Sequence, residues 1–86
     1  MRGEASVRSS ETENRVIGVF RLVFRNRGLE PPEMGPATVL DTSLGLESLD
    51  FAEVVVRLER EFGTDPFADG VPAGTRTIAD VARLYE

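Results

Sequence analysis

The sequence predicts an all-α fold: a small four-helix bundle with three main helices, a short third helix and a long loop between the first and second. Three observations predict it. Two long segments carry apolar residues at helical spacing. A glycine stands directly after each, Gly28 and Gly63. Cap-type residues stand ahead of the helical segments. The predicted helices lie near 11–27, 48–62, 66–69 and 77–85.

Residues 1–9 (MRGEASVRS) are polar and aperiodic and read as a disordered tail ahead of one domain, 10–86. Ser10-Glu11-Thr12-Glu13 reads as a capping box, with Glu13 reaching back to the serine. Val16, Ile17, Phe20, Val23 and Phe24 then form one apolar stripe, with Arg15, Arg21, Arg25 and Arg27 off it. Arg25 and Arg27 also fall near the C-terminal end, where the helix dipole favours cations. The valines and phenylalanines of Gly18–Phe24 allow a strand reading, but their alternation is poor and both ends carry helix signals.

Residues 29–47 form a long connection. Pro31, Pro32, Gly35 and Pro36 exclude regular helix from its first half. Leu29, Met34, Val39, Leu40, Leu44 and Leu46 can tack it to a core, so an ordered loop packed across the bundle is expected.

The strongest helix is 48–62, and it carries two apolar sets. Phe51, Val54, Val55, Leu58 and Phe62 form the larger and are assigned to the core. Leu49, Ala52 and Val56 form the other, with Glu53 and Arg60 beside them; the set centres lie about 150° apart at 100° per residue. So small a domain rarely buries both sides of a helix. The second set is expected to stay partly exposed as a contact surface, unless the long loop covers it. Asp65-Pro66 then signals a short new helix, and Gly70, Pro72 and Gly74 stop it within about a turn. Thr77-Ile78-Ala79-Asp80 reads as a further capping box, with Ile78, Val81, Ala82 and Tyr85 as the core face of the last helix.

The 86 residues make one small domain with little room for a deep cleft. No apolar run approaches the roughly 20 residues that span a bilayer, and the start carries no signal-like apolar stretch. No membrane partner is expected, and cytoplasmic location follows as the default. The chain has no cysteine, hence no disulfide and no thiolate metal site, and no calcium-loop spacing; no metal is expected. Net charge is −5 and uneven. Residues 1–27 hold six arginines against three glutamates, and residues 28–86 hold four arginines against twelve acids. The acidic part argues against nucleic acid and favours a partner with a basic patch. The basic first part reads as a solvated helix face.

The hexapeptide Gly45-Leu46-Glu47-Ser48-Leu49-Asp50 places a serine hydroxyl at a helix start, between two carboxylates. A catalytic serine needs a histidine or lysine base, and this chain has neither. The Gly-x-Ser-x-Gly elbow and the phosphate-loop fingerprints are also absent. Ser48 therefore reads as a serine that carries something: a helix N-terminus supports a phosphodiester through its unpaired N–H groups and dipole. The plain alternative is that Ser48 only caps its helix. Ser43 competes as a second Ser-Leu step, but no helix follows it directly.

Leu44-Gly45-Leu46-Glu47-Ser48-Leu49-Asp50, with the helix from Phe51 through Glu61-Phe62-Gly63, resembles the acyl carrier protein signature. The resemblance covers 11–86 in helix order and is specific over 44–63. It implies that Ser48 carries a covalent 4′-phosphopantetheine arm, derived from coenzyme A, whose thiol holds an acyl chain as a thioester. It implies a free-standing monomeric carrier rather than an enzyme, working in fatty-acid-like, polyketide or other secondary metabolite biosynthesis. Its partners would be a phosphopantetheinyl transferase and an acyl ligase, ketosynthase or other synthase with basic docking patches. Glu47, Asp50, Glu53 and Glu59 would meet those patches, and Leu49, Ala52 and Val56 would supply the apolar centre of the contact. A peptidyl or aminoacyl carrier, or an unmodified helical interaction module, are the alternatives. Glu47 stands where the family usually has aspartate, and Arg57 and Arg60 interrupt the acidic helix. The Gly- and Pro-rich 64–76 segment is longer than usual, and the first helix is unusually basic. These features resemble a specialised carrier more than a housekeeping one.

Overall fold

The computed structural model describes the backbone of residues 2–86 and the side chains of residues 10–86. Three α-helices follow one another: α1 (Arg2–Asn26), α2 (Ser48–Phe62) and α3 (Ile78–Arg83). A single 3-10 turn, Thr42–Leu44, interrupts the α1–α2 connection. Among the described residues the one extended pairing is an isolated antiparallel bridge between Val39 and Thr77.

The periodic stripe of α1 is the centre of the core. Val16, Ile17, Phe20, Val23 and Phe24 are all buried, joined by Val19. The capping box expected at Ser10 is corrected, because Ser10 lies inside the helix. The helix also runs through residues 2–9, where a disordered tail was expected; that stretch has no proline to stop it. Its side chains, and Met1, lie outside the described residues. The other end stops as expected. Gly28 takes φ +74°, a left-handed conformation that costs glycine little, and closes a Schellman motif. Its N–H donates to Arg25 O at 2.9 Å, and Leu29 N–H donates to Phe24 O at 2.9 Å.

Helix α2 has the expected bounds and ends at Gly63, whose N–H donates to Glu59 O at 2.7 Å. Val54 and Leu58 are fully buried, each contributing about 2 kcal/mol. Phe51, Val55 and Phe62 are half-buried at the edge of the same face. Arg15 binds the far end of α2 to α1: its Nε donates to Glu61 Oε2 at 2.8 Å and its guanidinium lies 4.3 Å from the Phe62 ring centroid.

The expected capping box of α3 is present, with Asp80 N–H donating to Thr77 Oγ1 at 3.2 Å and Thr77 N–H donating to Asp80 Oδ2 at 3.1 Å. The long loop supplies acceptors to the same helix start. Ile78 N–H donates to Thr38 O and Ala79 N–H to Pro36 O, while Leu40 N–H donates to Arg76 O. Amides left without partners inside a short helix are thereby satisfied, and the loop is stitched to the bundle. Leu46 is its deepest anchor, at 1% exposure, whereas Leu29 and Val39 stay exposed.

The short helix expected near 66–69 is a correction. These residues form turns, with Phe67 N–H donating to the Asp65 carboxylate and Gly70 N–H to Phe67 O. Gly70, Pro72 and Gly74 leave too few residues for propagation to offset the cost of nucleating a helix. The bundle thus holds three α-helices among its described residues rather than four. α1 packs against both α2 and α3, and the described backbones of α2 and α3 make no close approach to each other.

Aromatic rings fill one end of that gap. Tyr85 stacks on Phe62, ring centroids 4.5 Å apart, and tilts against Phe67 at 6.3 Å. The Tyr85 hydroxyl is buried without a hydrogen-bond partner among the described residues. Burial first, then the charges of Asp65 and Glu59, push its pKa up to about 12. Tyr85→Phe is therefore expected to raise stability by about 1 kcal/mol in urea denaturation, by removing an unpaired buried polar group. A raised pKa places the hydroxyl's contribution to pH dependence on the alkaline side. Wild-type stability should hold below pH ~10 and fall as pH rises through about 12. The variant should lack that part of the fall.

Candidate functional site

Ser48 is the first residue of α2, and the cap of that helix is Glu47, in extended backbone at φ −99° and ψ 174°. The Glu47 N–H donates to Asp50 Oδ2 at 2.9 Å. The cap of α2 is thus made by the residues on either side of Ser48, which corrects the reading of Ser48 as a mere helix cap. Ser48 is exposed, and its hydroxyl has no hydrogen-bond partner among the described residues. Ser43 differs: it lies in the 3-10 turn, and its Oγ donates to Asp41 Oδ1 at 2.5 Å. Gly45 then ends that turn, so no helix amides point toward Ser43.

Asp50 was expected among the docking charges, and this is corrected. It is 4% exposed and forms an ion pair with Arg27, while accepting the Glu47 amide. The Glu47 amide, then the Arg27 guanidinium, hold its carboxyl below the usual carboxylate range. Asp80 is held low in the same way by the amides of Arg76 and Thr77. A depressed folded-state pKa means the unfolded chain binds protons first as acid is added. Both contributions are present above the ordinary value of 3.8 and are lost as pH falls through the lowered ones. The thermal midpoint of wild type is expected to fall steeply below pH ~4, and that of the Asp50→Asn/Asp80→Asn double variant less steeply.

The other proposed contact residues of α2 share an open face. Leu49 is 83% and Val56 48% exposed, and Ala52, Glu47 and Glu59 are exposed as well. The long loop does not cover them. Glu53 is half-buried, and its carboxylate accepts from Arg57 Nε at 2.8 Å, one turn on. Arg57 thus offsets an acid that the sequence reading gave to a partner. Arg60 is exposed on this face and forms no ion pair among the described residues.

One turn into α2, an apolar cavity of ≈ 220 Å³ opens between the helices. Phe20 of α1, Phe51, Val54 and Val55 of α2, and Val81 of α3 line it, with Phe67 and Val71 from the connection. It exists because α2 and α3 do not close on each other. The sequence reading missed Phe67 and Val71, whose only signal was being apolar in a Gly- and Pro-rich stretch. It also treated Arg27 as a surface cation; the acid three residues after the Glu47 cap was the available sign that Asp50 turns inward. No group of three or more residues able to ligate a metal occurs among the described residues. No described helix is long and apolar enough to cross a membrane.

The site is thus an exposed, unengaged serine at a helix start, on a small helical domain whose sequence holds no histidine or lysine to activate it. The family model described as "Phosphopantetheine attachment site" matches residues 20–85, and the chain belongs to the acyl carrier protein family. It is a carrier protein and not an enzyme, and its cofactor is covalently attached 4′-phosphopantetheine. Similar proteins include the meromycolate extension acyl carrier protein of Mycobacterium tuberculosis (strain ATCC 25618 / H37Rv), 28% identical over 74 residues. That match covers 86% of this chain and 64% of the relative, so this chain spans less than two thirds of its length. The Mycolicibacterium smegmatis protein of the same name is also 28% identical, with 86% of this chain and 74% of that one covered. Among solved structures, MacpD, an acyl carrier protein from Pseudomonas fluorescens involved in mupirocin biosynthesis, superposes with a TM-score of 0.77 at 32% identity. The superposition covers 93% of this chain and 72% of MacpD.

Proposed function

We propose that this chain carries acyl intermediates as thioesters on a 4′-phosphopantetheine arm attached through Ser48. The observation that carries the assignment is the Ser48 hydroxyl: exposed, without a hydrogen-bond partner among the described residues, and at the start of α2. The residues fit the group, since a phosphodiester there meets the unpaired amides and the positive end of the helix. When attached, the arm supplies the thiol that forms the thioester. In the attaching reaction the Ser48 Oγ–phosphorus bond forms and the phosphoanhydride bond of coenzyme A breaks. Adenosine bisphosphate leaves with the electron pair, and the Ser48 proton passes to a base on the transferase or to solvent.

The apolar lining of the cavity favours an aliphatic cargo over a charged aminoacyl one. Its wall begins at Phe51, three residues and about 4.5 Å of helix rise from Ser48. An acyl chain can enter it between α2 and the α3 side of the bundle. A structure of the loaded form with its chain wholly in solvent would count against that part. The exposed face supports docking through Leu49, Ala52 and Val56, with Glu47 and Glu59 as acids that form no ion pair among the described residues. The partners are a phosphopantetheinyl transferase and a ligase, ketosynthase or other synthase with a basic patch. Its pathway is fatty-acid-like, polyketide or other secondary metabolite biosynthesis, as the names of the mycobacterial and Pseudomonas relatives suggest.

The test is direct. The protein is incubated with coenzyme A and a broad-specificity phosphopantetheinyl transferase, then weighed and fragmented in a mass spectrometer. A gain equal to the prosthetic group, located on the peptide containing Ser48, is expected. A gain located on Ser43, or none at all, overturns the assignment.

A further inference from the structure

We infer that Arg27 and Asp50 form a positioning pair that holds the first turn of α2 in the geometry from which Ser48 is modified, an inference that rests on the assignment of Ser48. The backbone around Ser48 is pinned two residues to either side. Leu46 is 1% exposed and Asp50 4% exposed, while Ser48 and Leu49 between them face solvent. Leu46 is held by the core. Asp50 is a carboxylate, and what holds it inward is polar: a single oxygen, Oδ2, accepts both the Glu47 amide and Arg27 Nη1.

The two donors come from different directions. Glu47 is the cap of α2 itself, whereas Arg27 lies 23 residues earlier, at the end of α1. Arg27 has a fixed base, since its own N–H donates to Val23 O and Phe24 O beside the Gly28 terminus. The pair therefore ties the start of α2 to the end of α1. Asp80 makes a useful contrast. It caps α3 with the same chemistry, but its arginine, Arg83, is three residues on in the same helix. That pair is local and ties nothing together.

The Arg27 side chain is 42% exposed, and a pair open to water on one side adds little to global stability. Its effect is on placement. With Asp50 anchored, the Ser48 hydroxyl projects from a defined turn. Without the anchor, a buried carboxylate faces only the amide, and the turn from Glu47 to Phe51 loosens. Attack on phosphorus requires the oxygen in line with the leaving group, so a small displacement slows the step without weakening the binding of coenzyme A.

The experiment uses the full chain. Wild type, Arg27→Gln, Arg27→Lys, Asp50→Asn, the Arg27→Gln/Asp50→Asn double variant and the matched control Arg83→Gln are modified with coenzyme A and a broad-specificity transferase. Mass gain gives kcat and KM, and amide exchange is followed at residues 47–51. In Arg27→Gln and Asp50→Asn, kcat is expected to fall about tenfold with the KM for coenzyme A unchanged. The double variant should be little slower than either. Arg27→Lys should recover part of the loss, exchange at Leu49–Phe51 should quicken, and Arg83→Gln should match wild type. Wild-type rates in folded Arg27→Gln, or loss in Arg27→Gln without loss in folded Asp50→Asn, overturn the inference. If Asp50→Asn does not fold, the Arg27 variants decide. Modification of wild type at Ser48 with equal rates in the variants defeats the pair alone. No modification of wild type at Ser48 defeats the assignment itself, and the inference falls with it.

Discussion

Ser48→Ala is expected to abolish the mass gain that coenzyme A and a phosphopantetheinyl transferase produce in wild type, while Ser43→Ala keeps it. The fold should be untouched. Ser48 is exposed and is not the cap of α2, which is Glu47. Its replacement sits at a helical position where alanine is favoured, so the unfolding free energy from urea denaturation should stay within about 0.5 kcal/mol of wild type. Had Ser48 been the cap, the same substitution would cost about 1 kcal/mol. The two readouts therefore separate a carrier serine from a capping serine in one variant. A mass gain that persists in Ser48→Ala would remove Ser48 as the attachment point.

Phe20→Ala should have the largest effect on stability. Phe20 is 2% exposed, meets Phe51 edge-on with centroids 6.3 Å apart, and forms the α1 wall of the apolar cavity. Its removal costs about 3–5 kcal/mol. A domain of this size holds a total of roughly 5–10 kcal/mol, so the variant should unfold at markedly lower urea and lose much of its cooperativity. The effect is large because an empty space already lies beside Phe20. Deleting the ring adds to a void that the surrounding side chains do not fill. A loss below about 1.5 kcal/mol in Phe20→Ala would show that α2 and α3 collapse to close the gap. In that case the cavity is not a standing feature of the fold.

These predictions rest on features of different origin. The stripe Val16–Phe24 and the bounds of α2 are legible in the sequence because helical periodicity and a terminal glycine act over a few residues. So is the exposure of Leu49, Ala52 and Val56: a helix with two apolar faces on a small domain must leave one in water. The capping box at Thr77 is equally local. The box at Ser10 was equally well formed as a pattern, yet α1 runs through it. A cap pattern permits a helix to start and does not oblige it to. The expected short helix at 66–69 fails for a related reason. Asp65-Pro66 is a fair start signal, but the chain beyond it turns before a helix can propagate.

By itself, the sequence determined the helices that build the bundle, the serine without a base, and the face of α2 left to solvent. Each is a matter of spacing along one element, and short-range backbone geometry decides it. Only the tertiary structure decided what Asp50 does. Its partner Arg27 is 23 residues away, and an acid beside an exposed serine looks like a docking charge until α1 brings a guanidinium to it. The cavity is likewise tertiary. It arises because α1 packs against both other helices while the described backbones of α2 and α3 stay apart, and no local pattern records the distance between two helices joined by fifteen residues of turns.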